Sequence, residues 1–188
     1  MIMLILGIVL FFGAHMIRVV APGLRAQQIA ANERRWKGLY ALVSLVGFVL
    51  LVWGYASWRA EAPQLYVPPE WGKHVTFLFV LIGLILYVAA YQPPGLIRSR
   101  LQHPMLIGTA FWGIGHLLAN GDAAGLLLFG SFALYGVWNA IAQFQRDQPR
   151  VTFKSYRGDI IAVVAGVVVY AVMLFWLHPI LFGANPLA

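Results

Sequence analysis

Ile160 to Leu177 reads IIAVVAGVVVYAVMLFWL, eighteen residues with no charge and a single hydroxyl. Such a stretch has few ways to fold. A bilayer core about 30 Å thick needs about 20 apolar residues in a helix. Inside it, every backbone N–H and C=O must find its partner within the segment, which leaves the helix as the only open-ended solution. Five further runs of the same kind are present, at about Met1–Val20, Gly38–Trp58, His74–Tyr91, Pro104–Ala119 and Ala123–Phe144; the last span runs about Asp159–Leu181. The expected fold is therefore all-α, a polytopic transmembrane helix bundle of about six spans. The Pro104–Ala119 run is short for a full crossing. Composition agrees: 61% of the residues are hydrophobic and 10% charged, against about 45–50% and about 25% in soluble domains.

The charges sit between the runs. Arg25, Arg34, Arg35 and Lys37 join the first two spans, in a connection whose middle can form a short interfacial helix. Arg98 and Arg100 join spans three and four, and Arg146, Arg150, Lys154 and Arg157 join spans five and six. Counting Arg18, eleven of the thirteen Lys and Arg residues fall on one side. The positive-inside rule makes that side cytoplasmic and puts both termini outside, as in a bacterial inner-membrane protein. The net charge of +7 is thus a topology signal, and no nucleic-acid partner is expected. The first run lacks the basic leader and cleavage site of a signal peptide. With no cysteine, disulfides, thiolate catalysis and iron–sulfur clusters are excluded.

Chemistry then rests on polar residues inside the spans, which usually face the bundle interior and mark function. Of five histidines, His74 and His178 lie near span ends, where the plain reading is an interfacial side chain; His178 precedes Pro179, which suggests a helix end. His103 precedes Pro104, so Gln102 or His103 is the expected cap of that helix. With Arg98 and Arg100 it forms a possible secondary ligand site. His15 and His116 lie deeper. Arg18 follows His15 by one turn, and Trp112 and Asn120 flank His116 on one face. The neighbouring Gly13, Ala14, Gly113 and Gly115 suggest room for a bulky group. A neutral histidine bonded to a neighbouring helix is the alternative. His103 and His116, thirteen residues apart, are separated by roughly 20 Å and about 220°, so they serve different purposes. His116 needs its partner on another helix, and His15 is the candidate, although the span boundaries offset the two by roughly 10 Å in depth. Two imidazoles without a cysteine or an intramembrane carboxylate suit haem iron better than zinc, with Arg18 available to a propionate.

FFGAHMIRVVAPGLRA, RRWKGLYALVSLVGFVLLVWGY and LQHPMLIGTAFWGIGHLLANGD, in that order, resemble the NnrU family of bacterial membrane proteins over about residues 1–145. The resemblance implies a five-helix membrane domain over 1–145; outside it, 146–188 reads as a cytoplasmic basic loop and a sixth transmembrane helix. It also implies a link to nitrite and nitric oxide metabolism in denitrification. The family is similar to the 15-cis-zeta-carotene isomerase, a haem b membrane enzyme whose histidine ligands match His15 and His116. On that likeness the expected cofactor is haem b, bound between the first and fourth segments by His15 and His116, with Arg18, Trp112 and Asn120 around it. The function classes that follow are a redox or nitric-oxide-linked haem protein, a haem-dependent isomerase of a polyene lipid, and a cofactor-free accessory protein of a respiratory complex. The expected partners are the lipid bilayer, a small apolar or gaseous ligand, and a respiratory or denitrification complex. The His-Pro element also resembles the Arg-His-Pro motif of membrane methyltransferases, but Gln102 stands where those enzymes carry arginine.

Overall fold

The computed structural model describes residues 1–146 and 148–187. All its regular elements are helical: α1 (Ile2–Val20), α2 (Pro22–Trp58), α3 (Gly72–Tyr91), α4 (Leu96–Leu101), α5 (Pro104–Leu117), α6 (Ala123–Phe144), α7 (Arg157–Val172) and α8 (His178–Phe182), the last two joined by a π-helical turn at Met173–Leu177. Among the described residues, five helices are long and apolar enough to cross a membrane: α1, α2, α3, α6 and the continuous run Arg157–Phe182. The fourth expected span is α5, whose 14 residues cover only about 21 Å. Pro104 sets its start. At its end the Leu118 amide closes a tight turn on the carbonyls of Ile114 and Gly115. The chain forms two compact units, residues 1–67 with 121–131, and residues 68–120 with 132–188.

In the first unit, α1 packs along α2 with almost no side chain between them. A Cβ on Gly47 would lie 2.6 Å from the Phe11 amide nitrogen, and one on Gly54 would lie 2.6 Å from the Leu4 Cα. Gly7 meets the Leu51 backbone in the same way. Lipid gives no hydrophobic drive to helix pairing, so close backbone approach at small residues supplies dispersion contact instead. The outward faces carry exposed Val9, Leu45 and Val49, as a lipid-facing surface should. The expected interfacial helix is the first part of α2. It ends at Asn32, whose extended backbone (φ −163°, ψ 96°) breaks the helix. The Asn32 Oδ1 then accepts the Arg35 amide at 2.9 Å and so caps the spanning part. Further along, the connection 59–66 is tied to the start of α6: Leu65 donates to the Gly121 carbonyl and Ala123 to that of Pro63. Asp122 Oδ1 caps α6 through the Gly125 amide at 2.8 Å. Tyr66 lies in the same connection, and its hydroxyl is pushed above its ordinary pKa by burial and then by Asp122.

In the second unit, α3 pairs with α5 and α7. The Thr76 hydroxyl lies 2.8 Å from the Gly72 carbonyl and 2.6 Å from that of Gly115, which ties α3 to α5. About two turns deeper, Gly83 and Gly108 approach backbone to backbone. Below them Tyr87 and Thr109 join at 2.7 Å. Thr109 already gives its proton to the Met105 carbonyl, so Tyr87 is the donor. On α7, Gly166 lies against Ile85 of α3, where a Cβ would sit 2.8 Å from the Ile85 Cα. At the basic end of the unit, the Asp159 carboxylate of α7 accepts the Leu96 and Ile97 amides at 2.6 and 3.0 Å and so caps α4. Gln102 accepts the Val151 amide at 2.8 Å and donates back to the Val151 carbonyl at 3.1 Å. That side chain is spent as a clamp on the loop before α7.

Candidate functional site

His116 sits in the last turn of α5. Its Nδ1 is 2.8 Å from the Trp112 carbonyl oxygen. A carbonyl only accepts, so Nδ1 carries the proton and Nε2 presents a lone pair in the neutral ring. The Trp112 indole lies against the imidazole with centroids 4.6 Å apart, and Asn120 Nδ2 donates to the His116 carbonyl at 2.8 Å. The expected trio of Trp112, His116 and Asn120 is therefore one local arrangement. It opens onto a cavity of about 420 Å³ in the second unit, whose wall also includes Lys73, Tyr170, His178 and Phe182.

His15, in the first unit, repeats this geometry. Its Nδ1 donates to the Phe11 carbonyl at 2.7 Å, and its ring lies against Phe11 at 4.3 Å and Tyr40 at 5.3 Å. Arg18 is exposed in the last turn of α1. Both histidines are thus helical residues held by the carbonyl four positions earlier and backed by the aromatic ring at that position. Orientation by an Nδ1–H bond to a carbonyl is what metal-bound imidazoles commonly have. No group of three or more His, Cys, Asp or Glu residues able to hold a metal ion occurs among the described residues. A porphyrin needs only one or two axial imidazoles from the protein, so the donor chemistry of His15 and His116 fits haem iron and does not fit a carboxylate-rich metal site.

Three expectations change. Gly115 does not make room for a ligand, because a Cβ there would lie 3.0 Å from that of Phe79; it is a packing residue against α3. His103 occupies the cap position of α5, but neither it nor Gln102 caps through its side chain. The His103 ring packs edge-on against Phe144 at 5.2 Å. Arg98 reaches the Gln92 carbonyl at 2.9 Å and Arg100 is exposed.

The third change is at His178, which does not end its helix. The wider π turn before it relieves the clash that Pro179 would make with the preceding turn, and α8 runs on to a left-handed cap at Gly183 (φ 62°). The π turn also aims the side chains. Tyr170 and Phe182 are twelve residues apart, so an unbroken α-helix would leave them about 120° apart around the axis. A π turn absorbs one extra residue, worth about 100°, and returns them to nearly one face. Tyr170, Leu174, His178 and Phe182 accordingly line the same cavity. His178 Nδ1 donates to the Ala184 carbonyl at 2.8 Å, so in the neutral ring its Nε2 is an acceptor. Nothing in the sequence marks a π turn, which is why His178 reads as an interfacial helix end and Tyr170 escaped the sequence reading; Lys73, on α3, escaped it as a lone charge near a span end. Asn139 and Gln143, both buried on α6 and bonded to each other at 3.2 Å, escaped it as well.

A sequence model of the family described as NnrU protein matches residues 3–186. The chain belongs to the NnrU family. The match runs past residues 1–145, which carry the resemblance, and takes in the last helix with its π turn, so Tyr170 and His178 lie within the family region. No curated protein and no solved structure matches the chain.

Proposed function

We propose that this NnrU family membrane protein binds haem b, which His116 and His15 would hold through Nε2, and serves a redox or nitric-oxide-linked role in denitrification. The observation that supports the reading is the twofold occurrence of one motif: a helical histidine whose Nδ1–H is held by a backbone carbonyl at 2.7 or 2.8 Å and whose ring rests on an aromatic one turn earlier. The carbonyl fixes the tautomer and raises the basicity of Nε2. The aromatic restricts rotation of the ring. Trp112 supplies a flat apolar flank beside His116, and Arg18 is the residue for a propionate. When bound, haem supplies one-electron chemistry and a site for diatomic ligands. The denitrification link comes from the family alone. A haemochromogen assay on protein produced with ample haem tests the reading: haem b in stoichiometric amount supports it, and colourless protein overturns it.

A further inference from the structure

The cavity of the second unit is built for more than one imidazole. Lys73 and Leu84 on α3 both line it and are eleven residues apart, so it extends about 16 Å along the helices. Its wall is mostly apolar, with rings from Phe77, Trp112, Tyr170 and Phe182. Polar atoms enter at separate depths. His178 Nε2 and the Tyr170 hydroxyl have no hydrogen-bond partner among the described residues. His178 makes its one bond through Nδ1, and the π turn, a frequent mark of functional sites, is what aims both residues inward. Among the described residues, no aspartate or glutamate lines the cavity.

We propose that this cavity binds a lipid-soluble hydroquinone, with His178 Nε2 accepting a ring O–H and Tyr170 bonding a ring oxygen. In the neutral form, an imidazole held by its Nδ1–H offers a lone pair, which calls for an O–H and disfavours a carboxylate at that atom. The aromatic wall suits a flat ring, and the apolar length suits its alkyl tail. The binding does not rest on haem at His116.

The test is tryptophan-fluorescence quenching of the full-length protein in detergent by a decyl-substituted benzohydroquinone, with decanoate as the carboxylate probe and the haem band read from the same samples. Saturable quenching is expected, lost in Trp112→Phe and weakened about tenfold in His178→Ala and in Tyr170→Phe, with decanoate failing to compete. Absence of saturable quenching overturns the proposal. So does wild-type affinity in both variants, or displacement by decanoate, which would make the cavity a general acyl-chain slot. If His178→Ala does not fold, as judged by helicity and gel filtration, Tyr170→Phe decides, since it removes one oxygen atom. A missing haem band refutes the haem reading and leaves the titration to stand by itself.

Discussion

His116 and Trp112 are joined twice: the imidazole Nδ1 donates to the Trp112 carbonyl at 2.8 Å, and the indole lies 4.6 Å from the ring it supports. Bond and contact together fix both the tautomer and the plane of the imidazole. Only the second depends on the side chain at 112. Trp112→Ala is therefore expected to keep haem while broadening its reduced bands, because the ligand stays but its plane is freed. Complete loss of haem in this variant would mean that Trp112 holds the porphyrin itself.

The α1–α2 seam gives a prediction that needs no ligand. Gly54→Ala forces a Cβ to within 2.6 Å of the Leu4 Cα, and one of the two helices must move. The expected cost is about 1–3 kcal/mol. The same change at Gly13 meets no atom within 4 Å and should stabilise α1 by about 0.5–1 kcal/mol. Thermal unfolding in detergent should rank the variants Gly13→Ala, wild type, Gly54→Ala. Equal midpoints for the two variants would mean that the helices do not touch there.

Asp159 couples the last span to the basic loop. Asp159→Ala leaves the Leu96 and Ile97 amides of α4 without their acceptor, at about 1–2 kcal/mol by analogy with a lost cap. Hydrogen exchange should accelerate about tenfold at these two amides, with little change along α3. Unchanged exchange at Leu96 would remove Asp159 from the capping role.

The π turn is tested by shortening it. Deleting Phe175 should restore an α-helical turn without rotating His178 away from the Tyr170 face, yet it returns the clash between Pro179 and the turn before it. The deletion alone should then cost about 3 kcal/mol. The deletion combined with Pro179→Ala should recover most of that, as read by thermal unfolding. Equal cost in both would show that Pro179 is not the reason for the widened turn.

The spans were legible because a bilayer imposes a length and an apolar content that few sequences meet by accident, and Ile160–Leu177 meets both. The short helix before Asn32 was legible from the charges and polar residues around it. The trio of Trp112, His116 and Asn120 followed from helical spacing alone. What escaped depends on contacts between segments distant in sequence. Gly115 reads as empty space until Phe79 is seen against it. Gln102 reads as a cap until it is seen holding Val151. His178 reads as a helix end because Pro179 follows, and only the π turn reverses that.

The central claim is that His15 and His116 bind haem iron through Nε2. Its most direct test is the oxidised and reduced absorption spectrum of the purified protein beside His15→Ala and His116→Ala. The account predicts a Soret band with sharp reduced bands in the wild type, altered or lost in each variant. A wild-type spectrum in His116→Ala with full haem content would contradict it.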